Sequence, residues 1–405
     1  MFDVRLPVLR SYAFEGNFGL ERESLRVTEA GRMAQTPHPF PPDHPRIVRD
    51  FCENQTEINT GVHPTAEAAV AELKEIDATI RAAILPRGER LWTNSNPPAG
   101  LEEDEIVPAK FDGHLAEKST YRDYLADKYG KALMAYCGIH VNFSFGEKLV
   151  EASGVDRDVL YLQLASQCIK WGWAIVALTA ASPRGDYSSV RCSERGYWNK
   201  FIPILDFSSV RDYARSIARY VTDGQLVAPS ELYYPIRLKP RGQNRLQTLV
   251  ENGIDHIEVR CVDLNPLVGG LVDARDVEFV RLFFLWCAAQ PPETLSAEKQ
   301  AECVGHFKAA ARLDFDWTPV GELVERMEEF FAGFPEARAI LAFEAEKVYH
   351  PERRYAWMEA CHVRDAWNIR EAENPGKRHS PRILLACRPP SARMGPRDVQ
   401  RRRSP

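Results

Sequence analysis

Apolar residues recur at helical spacing over residues 65–85, where Val70, Leu73, Ile80 and Ile84 share one face. Thr65 stands at the start as a capping residue and Pro86 lies just beyond the end. The same reading predicts a helix from about Arg157 to Ala181, closed before Pro183. Another follows Ser208–Ser209 and stops near Gly224, and one covers 274–289 ("ARDVEFVRLFFLWCAA"). Helical patterns also occupy 297–312, 320–332 and 336–348. Three stretches alternate with period two, as strands do. In "GLERESLRV" (19–27), Glu21, Glu23, Leu25 and Val27 point one way and Leu20, Arg22, Ser24 and Arg26 the other. "HVNFSF" (140–145) sets His140, Asn142 and Ser144 against Val141, Phe143 and Phe145. "IEVRCVDLN" (257–265) sets Glu258 and Arg260 against Ile257, Val259 and Cys261. The segments "TPHPFPPDHP" (36–45) and "SNPPAG" (95–100) are proline-rich loops, and no internal repeat is visible.

A length of 405 residues permits two or three domains, or one large α/β or α+β unit. Hydrophobic content of 44% and charged content of 27% are ordinary for a soluble globular chain. The net charge of −5 argues against a chain-wide nucleic-acid footprint, so no nucleic-acid partner is expected. The start, "MFDVRLPVLRSYAF", lacks the apolar core of a signal peptide, and the longest apolar run, "WAIVALTAA" (173–181), is too short to span a membrane. Nine cysteines without a C-x-x-C pair fit reduced thiols; a cytoplasmic location and no zinc are expected. No P-loop or dinucleotide-binding glycine motif occurs. From Pro375 on, the chain has nine Lys/Arg, six prolines and one acid, a composition that cannot build a core and predicts disorder. A solvated tail is the simpler reading there than a nucleic-acid or membrane-surface role.

Glu21 and Glu23 share a strand face at a separation of roughly 6.6 Å. Alone, that stretch reads as a solvated face with charges of both signs, His140 as a hydrogen-bonded structural residue, and Glu258-x-Arg260 as an ion pair. Three such faces in one chain are harder to dismiss. Carboxylates and an imidazole gathered on one sheet face repel unless cations sit among them. Oxygen-rich sites with one imidazole favour Mg²⁺ or Mn²⁺ over zinc. Arg191, Arg237 and Arg260 are candidates for bidentate contacts to carboxylate or phosphate oxygens. Metal ions and arginines around phosphate are the working parts of phosphoryl transfer.

Ordered blocks from about Phe18 to Ala289 resemble glutamate–cysteine ligase of the proteobacterial type and the matching part of bifunctional glutathione synthases. They are "GLERESLRV", "TPHP", "DFCENQTEINT", "YRDYLADKYGKALMAYCGIHVNFSF", "WGWAIVALTAASP", "RGYWNK", "ELYYPIRLKP", "GIDHIEVRCVDLNPL" and "LFFLWCA". The resemblance implies an α+β fold of the glutamine-synthetase kind: a curved, mainly antiparallel sheet forming a funnel, with helices packed outside. It implies one ligase domain over 1–373, matched closely over 18–289 and more loosely over 290–373, before the basic tail at 374–405. The implied reaction uses ATP as co-substrate and Mg²⁺, with Mn²⁺ as an alternative. It phosphorylates the γ-carboxylate of glutamate, and the amine of cysteine then displaces phosphate.

Carried over residue by residue, Glu21, Glu23, Asp50, Glu57, His140 and Glu258 match the metal-ligand positions. Arg260 matches the contact to the transferring phosphoryl group, and Arg191 the contact to glutamate or its acyl phosphate. Phe51, Tyr121, Leu125, Met134, Tyr197 and Tyr233 match positions around the incoming amino acid, with Asn142 and Arg237 as further substrate-binding candidates. No covalent protein nucleophile is implied, so Cys52, Cys137 and Cys192 are bystanders in this reading.

Some positions depart from the family. "WTNSNP" (92–97) stands where Trp-Pro-Leu-Ser-Met-Pro is usual, Met134 replaces a glutamine, and Cys137 a serine. These changes leave open another small amine as acceptor, while a catalytically silent regulatory homologue is the alternative from a different class. The ATP-grasp part of the bifunctional members has no match, which implies a product that stops at the dipeptide. Oligomeric state is not readable.

Overall fold

The computed structural model describes residues 2–362, so the tail expected at 374–405 lies outside the described residues. Seven strands form the sheet: β1 (Gly16–Thr28), β2 (Ile47–Arg49), β3 (Gln55–Asn59), β4 (Glu89–Leu91), β5 (Ile139–Phe145), β6 (Ile236–Pro240) and β7 (Ile254–Val262). Their order is β2-β3-β1-β5-β7-β6, with β4 pairing β1 off this path. Every pairing is antiparallel. With helices between and after the strands, the architecture is α+β.

Alternation along the central strands decides which face is buried. Phe18, Leu20, Val141, Phe143, Phe145, Ile257 and Val259 point backwards and are almost fully excluded from water. Phe18 meets Phe143 at 5.1 Å between ring centroids, and Phe143 meets Phe284 at 5.6 Å. Phe284 belongs to the helix Ala274–Ala288, which is apolar around most of its circumference and buried over most of its length. Such a helix needs neighbours on all sides. The sheet covers one side of it, and the helices Arg157–Trp171 and Pro335–Tyr349 cover others.

The helical periodicity located most elements. Ala66–Ile84 starts where expected, with the Thr65 hydroxyl accepting from the Ala68 amide at 3.2 Å. Val210–Thr222, Ala274–Ala288, Ala297–Ala310, Thr318–Phe330 and Pro335–Tyr349 follow the pattern to within a few residues. The helix expected over 157–181 is instead two, Arg157–Trp171 and Trp173–Thr179, divided at Gly172. A Cβ on Gly172 would lie 2.8 Å from Cζ of Phe307 and 2.5 Å from the Cys168 carbonyl oxygen, so the missing side chain is what lets that ring pack into the break. The helix Ala116–Tyr129 has few apolar positions and no strong periodicity, and the pattern did not reveal it.

The largest departure lies on the back of β1. Read as a solvated face, Arg22 and Arg26 are in fact completely buried. Arg22 pairs with Asp77 of the helix Ala66–Ile84 and donates to the Gly270 carbonyl at 3.2 Å. Arg26 donates to Glu89 Oε2 at 2.6 Å and to the carbonyls of Thr36 and Glu53 at 2.8 and 3.0 Å. One guanidinium thereby fastens β4, the loop after Met33 and the turn before β3 to the end of β1.

Truncating Glu89 leaves the Arg26 charge buried without a counter-ion, an error that costs about 3–5 kcal/mol. Glu89→Ala is therefore expected to lower the unfolding free energy by that amount in urea titration. A loss below about 1 kcal/mol, the level of an exposed pair, would show that the charge escapes to solvent.

Candidate active site

The front face of the sheet opens onto a cavity of about 510 Å³. Strand register alone brings its polar groups together. Glu21 sits opposite His140 across the β1–β5 pairing, and Glu23 opposite Glu57 across β1–β3. The β5–β7 register shifts between Ile139 and Val141, so His140 sits at an irregularity of the kind that re-aims a side chain. Glu258 on β7 faces Arg237 on β6. Asp50 and Phe51 enter from the turn after β2, which Arg122 holds by donating to the carbonyls of Asp50 and Arg49.

Distances divide the polar groups into two parts. In one, the His140 Nδ1 lies 2.8 Å from Glu21 Oε2 and 3.7 Å from Glu258 Oε1. One ligand atom from each of Glu21, His140 and Glu258 falls within 4.8 Å of the others. Glu258 is fully buried, and Lys239 Nζ and an Arg260 terminal nitrogen each lie 3.1 Å from its Oε1. Burial opposes its charge, but Arg260, Lys239, His140 and Arg237 together hold its carboxyl well below the usual range. Its other oxygen, Oε2, is buried with no partner. An orphaned carboxylate oxygen inside a Glu–His–Glu cluster suits a divalent cation of the Mg²⁺ or Mn²⁺ type.

The other part is acidic. Glu23, Asp50 and Glu57 line the same cavity. Burial, reinforced by Asp50, pushes Glu23 up to about 8 against the pull of Arg191 and Arg260. Burial and then Asp50, Glu21 and Glu23 push Glu57 well above its ordinary value. Two carboxyls whose charge is disfavoured by burial and then by their acidic neighbours mark a place short of positive charge. His140 Nε2 connects the two parts, 3.9 Å from Glu23 Oε1.

Arg191 and Arg260 both line the cavity, as does Arg237. Arg191 is held by donating to the Arg260 carbonyl at 2.6 Å and the Val262 carbonyl at 3.4 Å. Tyr121, Leu125, Met134, Tyr197 and Tyr233 form an aromatic and apolar wall beside Phe51. The Tyr197 and Tyr233 rings lie 4.2 Å apart, and Tyr129 meets Tyr233 edge-on at 5.3 Å. Asn142 falls elsewhere. It donates to Glu21 Oε1 at 3.1 Å and lines a smaller neighbouring cavity of about 230 Å³ that shares Glu21.

The segment 92–97, expected to alter the surroundings of the acceptor, contributes nothing to the cavity wall. Its side chains act as a bracket behind the site. Ser95 Oγ accepts from the Leu264 amide at 2.8 Å, and Asn96 Nδ2 donates to the Ser182 carbonyl at 2.9 Å. The Ser95 carbonyl accepts from the Cys137 amide at 3.0 Å. Lys239 was missed, although it lies two residues from Arg237 on a strand and so shares its face. Lys118, Arg122 and Trp198 also reach the cavity, from a helix and a loop that carry no periodic signal of their own.

The fold is shared with two solved structures. A bifunctional glutathione synthetase from Pasteurella multocida superposes with a TM-score of 0.79 at 26% identity, covering 95% of this chain and 53% of that one. A glutamate–cysteine ligase from Francisella tularensis, in complex with AMP, gives 0.76 at 21% identity, covering 86% and 84%. The chain belongs to the glutamate–cysteine ligase family, whose model matches residues 9–217 and 203–309. Among curated proteins, the glutathione biosynthesis bifunctional protein GshAB of Listeria monocytogenes serovar 1/2a is 31% identical, covering 86% of this chain and 52% of its own length. That of Streptococcus thermophilus is 35% identical, covering 72% and 41%. This chain thus spans about half the length of these relatives or somewhat less.

The electrostatics around Glu258 generate a prediction that needs no ligand. Replacing it with Gln leaves Arg260, Arg237 and Lys239 facing one another around a neutral group, and breaking such a buried arrangement costs about 3–5 kcal/mol. Glu258→Gln is expected to unfold at lower denaturant, and adding Lys239→Met should recover part of the loss. If the double variant is less stable than the single one, Lys239 is not held there by the Glu258 charge.

Proposed function

We propose that this chain is an ATP- and Mg²⁺-dependent γ-glutamyl ligase that joins the γ-carboxylate of glutamate to the amine of L-cysteine through a γ-glutamyl phosphate. The observation that carries this reading is one cavity that holds a Glu–His–Glu cluster and three further acids together with three arginines and Lys239 interleaved among them. Membership of the glutamate–cysteine ligase family supports it, as do the names of the relatives.

Glu21, His140 and Glu258 would hold one cation, and Glu23, Asp50 and Glu57 would complete its surroundings or hold a second. Divalent cations bound there supply charge neutralisation for phosphate oxygens. The protein's own groups then have separable tasks. Arg260, aligned by Glu258, presents its guanidinium where negative charge spreads over a transferring phosphoryl group. Arg191, fixed against the β7 main chain, is placed for a substrate carboxylate. The glutamate γ-carboxylate oxygen takes the terminal phosphoryl group and ADP leaves. The cysteine nitrogen attacks the acyl carbon, phosphate leaves with the bridging oxygen, and the amine sheds a proton. Tyr121, Tyr197 and Tyr233 with Phe51, Leu125 and Met134 offer the acceptor side chain an apolar surface with no charged residue among those six, which suits a thiol and rejects charged side chains. In this reading the sheet is the inner wall of a glutamine-synthetase-like funnel, the ligase unit covers residues 1–373, and the enzyme works in the cytoplasm.

The test is ADP release with glutamate and a panel of amines, in the presence and absence of Mg²⁺, with products identified by mass spectrometry. Cysteine and 2-aminobutyrate are expected to lead a graded series, because apolar contacts discriminate by only about 1–3 kcal/mol per methylene-sized change. Metal-independent turnover, or a charged amine as best acceptor, overturns the assignment. Arg260→Lys keeps the charge but loses the planar fork. It is expected to lower kcat far more than it raises the KM for ATP, since the contact strengthens in the transition state. Equal losses in the two constants would place Arg260 in ground-state nucleotide binding instead.

A further inference from the structure

Gly138 ends the segment that leads into β5, and its backbone does not occupy the left-handed region. Conformational freedom is therefore not why a glycine stands there. The reason is space. A Cβ on Gly138 would lie 2.1 Å from Cζ of Arg191, 2.2 Å from one terminal nitrogen and 2.4 Å from Nε. The guanidinium thus lies flat against the bare main chain, in the slot where a side chain would be. On the same residue, the amide donates to Glu23 Oε2 at 3.0 Å and the carbonyl accepts from the Glu23 amide at 3.1 Å. The loop that carries Arg191 is built with the same tolerance, because a Cβ on Gly196 would lie 1.8 Å from the Arg191 carbonyl oxygen.

We infer that Gly138 is a positioning residue: its missing side chain sets the depth at which the Arg191 guanidinium lies beside Glu23, and so the spacing between a bound substrate carboxylate and the acidic part of the cavity. The inference rests on the ligase reading for what Arg191 binds, but the steric link does not. Three of the guanidinium's hydrogen bonds are committed within the protein, to the carbonyls of Arg260 and Val262 and to the Cys192 sulfur. A planar group fixed by those bonds on one edge and by Gly138 on its face can turn its remaining donors in only one direction. Adding a methyl group at 138 must displace the guanidinium, because the three nearest atoms it would meet, at 2.1–2.4 Å, all belong to the Arg191 side chain.

The experiment is a double-mutant cycle of Gly138→Ala and Arg191→Ala, read by thermal unfolding and by steady-state kinetics. Gly138→Ala alone is expected to raise the KM for glutamate by about 10-fold or more and to lower kcat, since displacements near 1 Å cost up to about 100-fold. The KM for ATP should change by less than about 2-fold. In the Arg191→Ala background the clashing atoms are gone, so the second substitution should change neither the kinetic constants nor the unfolding temperature. If Gly138→Ala proves insoluble, a soluble double variant that behaves like Arg191→Ala carries the same conclusion. The inference is overturned if Gly138→Ala damages the Arg191→Ala protein as much as the wild type, or if it damages neither. Absence of ligase turnover in the wild type would sink the functional reading by itself, while the unfolding temperatures would still report whether the two residues are coupled.

Discussion

Like charges on one face of an antiparallel sheet are the constraint around which this molecule is arranged. Directly opposed residues on neighbouring strands sit about 4.5–5.5 Å apart at Cβ. The register that pairs Glu23 with Glu57 therefore forces two carboxyls together, and the one that pairs Glu21 with His140 adds a third group within reach of both parts. The chain compensates more fully on one side than on the other. Arg237 and Lys239 from β6, and Arg260 from β7, surround Glu258 and keep it ionised, whereas nothing comparable from β2 or β3 faces Glu57. The result is a cavity in which burial and neighbours disfavour charge on Glu57 while the cations around Glu258 favour it there.

Holding the sheet in register is then the work of its back face. The aromatic packing of Phe18 and Phe143 against Phe284 ties the central strands to a buried helix. Arg22 and Arg26 anchor β1 at two points further along, through Asp77 and Glu89. A slip of one residue would exchange the faces, sending Glu21 and Glu23 into the apolar core and Arg22 into the cavity. Buried ion pairs contribute little net stability, but they penalise that exchange heavily, which makes them devices of register more than of affinity.

Much of this was legible in the chain, and the limits have a physical pattern. Period-two alternation correctly separated Glu21, Glu23, His140, Glu258 and Arg260 from the residues behind them, because side-chain direction on a strand is local. It could not tell a solvated arginine from a buried one, since the partners of Arg22 and Arg26 lie 55 and 63 residues away. Asp50 and Phe51 stand in a turn without periodicity, and only the family resemblance singled them out. The tyrosine wall draws on residues near 121, 197 and 233, a gathering no local rule describes. Asn142 shows a different limit. It shares the face of His140, but its bond to Glu21 belongs to the neighbouring cavity, because a shared face is not yet a shared pocket. The break at Gly172 was hidden for the same reason: the ring that occupies it comes from Phe307.

The thiols narrow the chemistry that the cavity can support. Cys192 and Cys261 both line it, yet neither is an activated nucleophile. Burial, with the Arg191 guanidinium opposing and Asp263 adding to it, leaves the Cys192 thiol raised to about 11. Burial and the neighbouring Cys192 push Cys261 well above its ordinary value. A reactive cysteine needs the reverse, a thiolate stabilised by surrounding positive charge. His140, the imidazole of the site, is hydrogen-bonded to Glu21, and burial and then Arg260 lower its affinity for a second proton. A covalent route through either of these thiols therefore lacks an activated nucleophile. What the cavity does offer is fixed charge of both signs with well-anchored arginines, the equipment for a reaction in which a co-substrate activates the carboxylate and the protein positions it.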